Sequence, residues 1–203
     1  MKNIVICLTL LLLTCGAVQA QKIVIKSGSL DPIKSEKFFN ITYDYNDVSV
    51  GKFENEEDYI NKKVSEYNTK EPGRGDRWKE AWIGDRKARY QVSFEELLNK
   101  TLESNEIYVG EENTDSKYTM VLKTTFIEPG FNIYITKKPA MIHVIFKVVE
   151  TANPSNVICE IISKNNPGRT FGDSDLDTGI RIKEAYAKCG KELGKFMIKK
   201  IYK

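Results

Sequence analysis

The chain has 203 residues, 41% of them hydrophobic, with 31 lysines and arginines against 28 acidic residues and a formal net charge of +3. That apolar content suffices for one packed domain and excludes a disordered stalk. The near-balance of charge, with no block of one sign, excludes the clustered basic excess of a nucleic-acid binder.

The first twenty residues read as an export signal. Lys2 supplies the positive end, Ile4 to Leu13 the apolar run, and Val18-Gln19-Ala20 the small-residue cleavage site. The run is short for a permanent bilayer span. The alternative is a lipid anchor at Cys15, although Thr14 stands where such sites want Gly, Ala or Ser. The expected organisation is 1–20 signal peptide, 21–37 leader and 38–203 one α+β domain, with the product periplasmic or secreted.

Gln21 to Lys37 carries the breakers Gly28-Ser29 and Asp31-Pro32, with Ile23-Val24-Ile25 as a candidate edge strand. Phe39, Ile41, Tyr43 and Tyr45 alternate with polar residues, as a half-buried strand requires. The parity shifts at Val48 and Val50, so a bulge or turn is expected near Asn46. Glu56 to Tyr67 follows with Ile60, Val64 and Tyr67 on one helical face. Asn68 to Arg77, holding Pro72, Gly73 and Gly75, predicts a loop closed by Asp76 as cap of a helix bearing Trp78, Trp82 and Ile83. Gly84-Asp85 predicts a break, and Ser93-Phe94-Glu95-Glu96 a capping box opening the next helix.

Beyond it, Ile107 to Val109 reads as a short strand and Tyr118 to Ile127 as a long one, with Tyr118, Met120, Leu122 and Phe126 on one face. Ala140 to Val149 is apolar on both faces, the mark of a central strand. After the turn at Asn153-Pro154-Ser155-Asn156, Val157 to Ser163 returns and completes an antiparallel meander. A loop, Lys164 to Asp173, leads to the last helix, Ser174 to Lys203. There Ile182, Ala185, Tyr186, Cys189, Leu193, Phe196, Met197 and Ile201 share one side, with Gly190 and Gly194 inside the apolar arc. Such glycines imply a close seat, expected here on the sheet, and the acidic residues on the opposite face argue against a helix lying on a membrane. The sum is an α+β fold: a mixed, largely antiparallel sheet with helices packed on one face and a long C-terminal helix.

Three segments resemble the envelope domain shared by the curli-secretion outer-membrane lipoprotein and the TolB amino-terminal domain. They are Asp115-Ser116-Lys117-Tyr118-Thr119-Met120-Val121, Val148-Val149-Glu150-Thr151 with Val157-Ile158, and the closing helix with Ala185, Gly190 and Leu193. The likeness spans Phe38 to the end. It implies a non-catalytic binding or assembly module at the envelope, with an envelope protein or surface ligand as partner and possible outer-membrane association. It carries over no functional residue, and Glu71 to Asp76 with Gly84-Asp85-Arg86 departs from the pattern.

Several local patterns carry chemistry. Asp173, Asp175, Asp177 and Glu184 occupy positions one, three, five and twelve of a calcium loop, but Thr178 stands where the glycine belongs. The plainer reading is a helix N-terminus lined with acids. Arg74, Trp78, Trp82 and Arg86 offer aromatic platforms and guanidiniums to a ligand, or a pair of tryptophans one turn apart packing a core. Arg74-Gly75-Asp76 matches a receptor-read tripeptide that a capping aspartate explains equally well. His143 is the single histidine; no zinc set and no nucleophile elbow accompanies it. A secreted hydrolase would have to rest on a carboxylate pair that no spacing marks. Cys159 and Cys189 are read as two buried thiols, with a disulfide as the alternative.

Overall fold

The computed structural model describes residues 21–133, 135–168 and 177–201. The export signal, Cys15, Asp173 and Asp175 lie outside the described residues.

Among the described residues nine strands and four α-helices follow one another: β1 (Lys22–Gly28), β2 (Phe38–Asp44), β3 (Ser49–Val50), α1 (Glu56–Lys70), α2 (Arg74–Asp85), α3 (Val92–Leu102), β4 (Tyr108–Gly110), β5 (Tyr118–Glu128), β6 (Phe131–Asn132), β7 (Lys137–Lys138), β8 (Ala140–Glu150), β9 (Asn153–Gly168) and α4 (Thr178–Ile201). Seven strands form one mixed sheet in the order β1-β9-β8-β5-β2-β4, with β3 beside β5 beyond the end of β2. The meander β5-β8-β9 and the added β1 are antiparallel. β2, β3 and β4 run parallel to their neighbours. Those parallel joins follow from the helices placed between β2 and β4, since a parallel pair needs a long crossover. β6 and β7 form a separate hairpin.

Alternation decides which face is covered. Ala140, Ile142, Val144, Phe146 and Val148 of β8 are buried under α3 and α4, while Met141, His143, Ile145 and Lys147 are only half-buried on the open face. Phe94 of α3 stacks on Phe146 at 5.7 Å. The turn expected near Asn46 is present, with Asp47 at φ 59° ahead of β3. The segment read as a leader supplies β1 and buries Leu30 and Ile33 in the core.

Several expectations are corrected by packing. The long loop 68–77 shrinks to residues 71–73, because Asn68 of α1 accepts a bond from the Gly75 amide at 2.7 Å and so secures the start of α2. Gly73, at φ 75°, takes the cap position in place of Asp76. A Cβ at Gly75 would collide with the Val64 backbone, so this glycine serves helix contact, inside the first turn of α2. The break at Gly84 and the capping box at Ser93 do not form: α2 passes through a π turn, Arg86–Gln91, directly into α3. Continuing amides find carbonyl partners within the helix, which leaves Ser93 nothing to cap. In β5 a bulge between Thr124 and Phe126 turns Phe126 to the open face, where it meets His143 with ring centres 4.8 Å apart. β9 runs on through Pro167 to Gly168, taking up residues expected in the loop.

A last correction concerns α4. It packs on the sheet with its apolar face buried, as expected, but Gly190 and Gly194 within that face meet α3 rather than the strands. A Cβ at Gly190 would strike the carbonyl oxygen of Phe94, and one at Gly194 would lie 2.9 Å from Thr101 Cβ. Cys159 and Cys189 are both buried and unbridged.

Candidate functional site

Asn55 opens α1 by accepting a bond from the Asp58 amide at 2.9 Å, which fixes the entry of the helix. The next residue, Glu56, thereby points its carboxylate at α2. Its Oε1 accepts the Trp82 indole N–H at 2.7 Å, and its Oε2 is paired with the Arg86 guanidinium. Arg86 also lies over the Tyr45 ring, 4.5 Å from its centre. The side chains of Glu56 and Arg86 are largely withdrawn from water. The guanidinium suited to grip a ligand carboxylate therefore holds a carboxylate of its own chain.

Trp78 and Trp82 stack at 5.6 Å, as their spacing of one helical turn requires. Tyr59 packs on both, at 5.8 and 5.1 Å, and Phe53 on Tyr59 at 5.7 Å. Arg74 sits at the other end of the cluster, over the Tyr67 ring at 5.4 Å. The four residues singled out from sequence thus share one aromatic body, but they do not converge: Trp82 and Arg86 are closed by Glu56, Trp78 is half-buried, and Arg74 is exposed.

The π turn carries the second part of the site. A π turn widens the helix by one residue and is found disproportionately at functional places. Here it brings Tyr90 into the core, its ring 5.1 Å from that of Tyr186 and nearly parallel to it. The Tyr186 hydroxyl shares a 2.6 Å hydrogen bond with Thr124. The hydroxyls of Tyr45 and Tyr90 are buried without a hydrogen bond of good geometry. Burial pushes all three phenols up, Tyr45 to about 12, so each keeps its proton at neutral pH.

At the exposed end of the turn Arg89 bridges two acids, Asp85 at 3.0 Å and Asp177 at 3.2 Å. Asp177 also accepts from the Ile180 amide at 3.2 Å, which makes it the cap of α4. Burial works to raise its carboxyl, but that amide and Arg89 together outweigh it and hold the group below the usual range. Burial raises Asp85, with Arg89 opposing. Gly179 leaves the room that the Asp85 carboxylate occupies. Of the proposed calcium positions, Asp177 is engaged in this way and Glu184 lies half-buried on α4. Among the described residues no three His, Cys, Asp or Glu side chains come together as a metal set.

A third feature lies outside this network. In the β6–β7 hairpin Phe131, Ile133 and Ile135 are 43%, 58% and 95% exposed. Lys137 and Lys138 form its returning strand, with Lys138 paired to Glu128 at 2.5 Å. Sequence reasoning passed over this hairpin, though the apolar alternation of Phe131, Ile133 and Ile135 after Pro129-Gly130 was a readable signal. Tyr90 was read from sequence beside Trp78, Trp82, Arg86 and Arg89 as part of an aromatic and guanidinium cluster, but Glu56 and the meeting of Tyr90 with Tyr45 and Tyr186 were missed, because both depend on the fold.

No family model and no curated protein matches the chain. Among solved structures the chain is similar to the PelC dodecamer from Paraburkholderia phytofirmans, at 11% identity over 86% of this chain and 98% of that one, with a TM-score of 0.38. A second PelC dodecamer structure from the same organism gives 12% identity, 83% and 97% coverage and a TM-score of 0.32. A Xanthomonas campestris protein of the DUF330 family gives 11% identity, 80% and 84% coverage and a TM-score of 0.36. Likeness at this level concerns the course of the chain alone.

Proposed function

We propose that the chain is an exported, non-catalytic binding or assembly module of the cell envelope, which meets an anionic membrane surface through the β6–β7 hairpin. The observation that carries this reading is the exposure of Ile135 beside Ile133 and Phe131. Burying side chains of this size is worth about 1.5–3 kcal/mol each, so a cluster held in water marks a contact surface. Lysines beside an apolar tip suit an interface where acyl chains lie beneath anionic headgroups. The export pattern at the N-terminus and the local resemblance to the curli-secretion lipoprotein and TolB domain support the same reading. No described helix is long and apolar enough to cross a membrane.

Sedimentation with phosphatidylglycerol vesicles tests it. The protein is expected to pellet with them, and Ile133→Asp with Ile135→Asp to abolish pelleting at unchanged melting temperature. Equal pelleting of both proteins, or none by either, refutes the hairpin as the contact. Mass spectrometry of the mature N-terminus separates a chain beginning at Gln21 from one lipidated at Cys15.

A further inference from the structure

The sheet has an open edge at β1, which among the described residues pairs with β9 alone. In an antiparallel strand every second residue turns its N–H and C=O away from the neighbour, so this edge presents unused backbone groups. Beside it, between β1 and the last turns of α4, runs a groove of about 610 Å³. Its floor is apolar: Ile23 and Ile25 from the strand and Phe196 from the helix. Its rim is basic. Lys195 is occupied by Glu192, which also lines the groove, but Lys199 and Lys200 form no ion pair among the described residues, and Lys200 lies 5.9 Å over the Phe196 ring.

We propose that this edge is a docking site for an extended acidic peptide segment of another protein, which adds to the sheet as a strand beside β1. Backbone bonds to the edge hold such a segment, and among the side chains on its groove-facing side apolar ones fill the floor and carboxylates meet the lysines. β1 pairs regularly over Lys22 to Ile25 and again, past a bulge, at Ser27 and Gly28. A second copy joined antiparallel along this edge about Val24 would set Lys22 of each copy opposite Lys26 of the other, a like-charge arrangement. The site is separate from the hairpin and stands or falls without it.

The probe is a capped octapeptide in which every second residue is threonine and the residues between them, all on one face, are valine and glutamate in turn, with lysine in place of glutamate in the control. With the full exported protein, the acidic peptide is expected to bind saturably and to slow amide exchange along β1. Lys199→Glu with Lys200→Glu is expected to weaken it at least tenfold, and Ile133→Asp with Ile135→Asp to leave it unchanged. Both pairs lie on the surface, so folding is retained. No protection of β1, equal binding of the basic peptide, or self-association lost in the lysine variant would overturn the proposal. So would binding to phosphatidylglycerol vesicles that the lysine variant abolishes while no peptide protects β1.

Discussion

The α-carbon of Gly190 in α4 lies so near the carbonyl oxygen of Phe94 in α3 that no side chain fits between them. In an open helix Gly→Ala is worth roughly 1 kcal/mol in favour of alanine. Here the sign reverses. Gly190→Ala is expected to destabilise by about 1–3 kcal/mol through overpacking against a backbone, and Gly190→Leu by more. A melting temperature unchanged or raised in Gly190→Ala would contradict the helix-on-helix seat.

Glu56 serves two partners at once, the Trp82 indole and the Arg86 guanidinium. Glu56→Ala strands both, and a loss of about 1–3 kcal/mol is expected. Glu56→Gln keeps an acceptor for the indole and should lose less. Chemical unfolding monitored by tryptophan fluorescence gives both numbers, and equal losses in the two variants would show that the charge on Glu56 carries the whole effect and the acceptor kept by Gln none of it.

Two stacked tyrosines make opposite predictions. The Tyr186 hydroxyl is bonded to Thr124, so Tyr186→Phe is expected to cost about 0.5–1.5 kcal/mol. The Tyr90 hydroxyl is buried with no such bond, so Tyr90→Phe is expected to change stability by no more than about 0.5 kcal/mol, or to raise it slightly. Denaturant midpoints of the pair test the contrast directly.

Burial holds the His143 imidazole below its ordinary value; Asn165 opposes the shift through a hydrogen bond and Lys164 adds to it. The folded protein therefore takes up this proton less readily than the unfolded chain. Above the ordinary value, about 6.5, the imidazole is neutral in both states and nothing is lost. As pH falls from there through the lowered folded value, the unfolded state gains protons first and stability declines. His143→Gln is expected to flatten the fall of melting temperature between pH 7.5 and pH 5; an identical slope in both proteins would refute the assignment.

Asp177 caps α4 and pairs with Arg89. Asp177→Ala is expected to cost about 0.5–2 kcal/mol, the usual loss of a helix cap. Millimolar calcium is expected to leave the melting temperature of the unaltered protein where it was; a rise abolished by Asp177→Ala would mean a cation site instead.

The meander and the last helix were legible because burial there follows a simple period. The apolar run of Ala140 to Val149 marked a central strand, although its second face, with Met141, His143 and Ile145, proves only half-buried, and the spacing of Ile182 to Ile201 marked one buried stripe. The stretch 68–93 was not legible, because its signals are local and the forces acting on it are not. Gly75 and Gly84 read as breakers, yet Gly75 exists to let α1 approach, and the chain coils through Gly84 without interruption. The capping box at Ser93 lost to a helix already running. Of the candidate site, the tryptophans and arginines were visible in sequence. Their true partner was not, since nothing in the order of residues says which of many carboxylates reaches an indole 26 positions away.

Lys22 pairs with Lys164, so the outermost strand of the sheet waits for a partner made near the other end of the chain. During synthesis β1 emerges first and finds nothing to lie against. Such a topology delays cooperative closure until almost every residue is available. Until residues 159–164 are made, the edge strand has no neighbour to lie beside, so the sheet gains its outer border last.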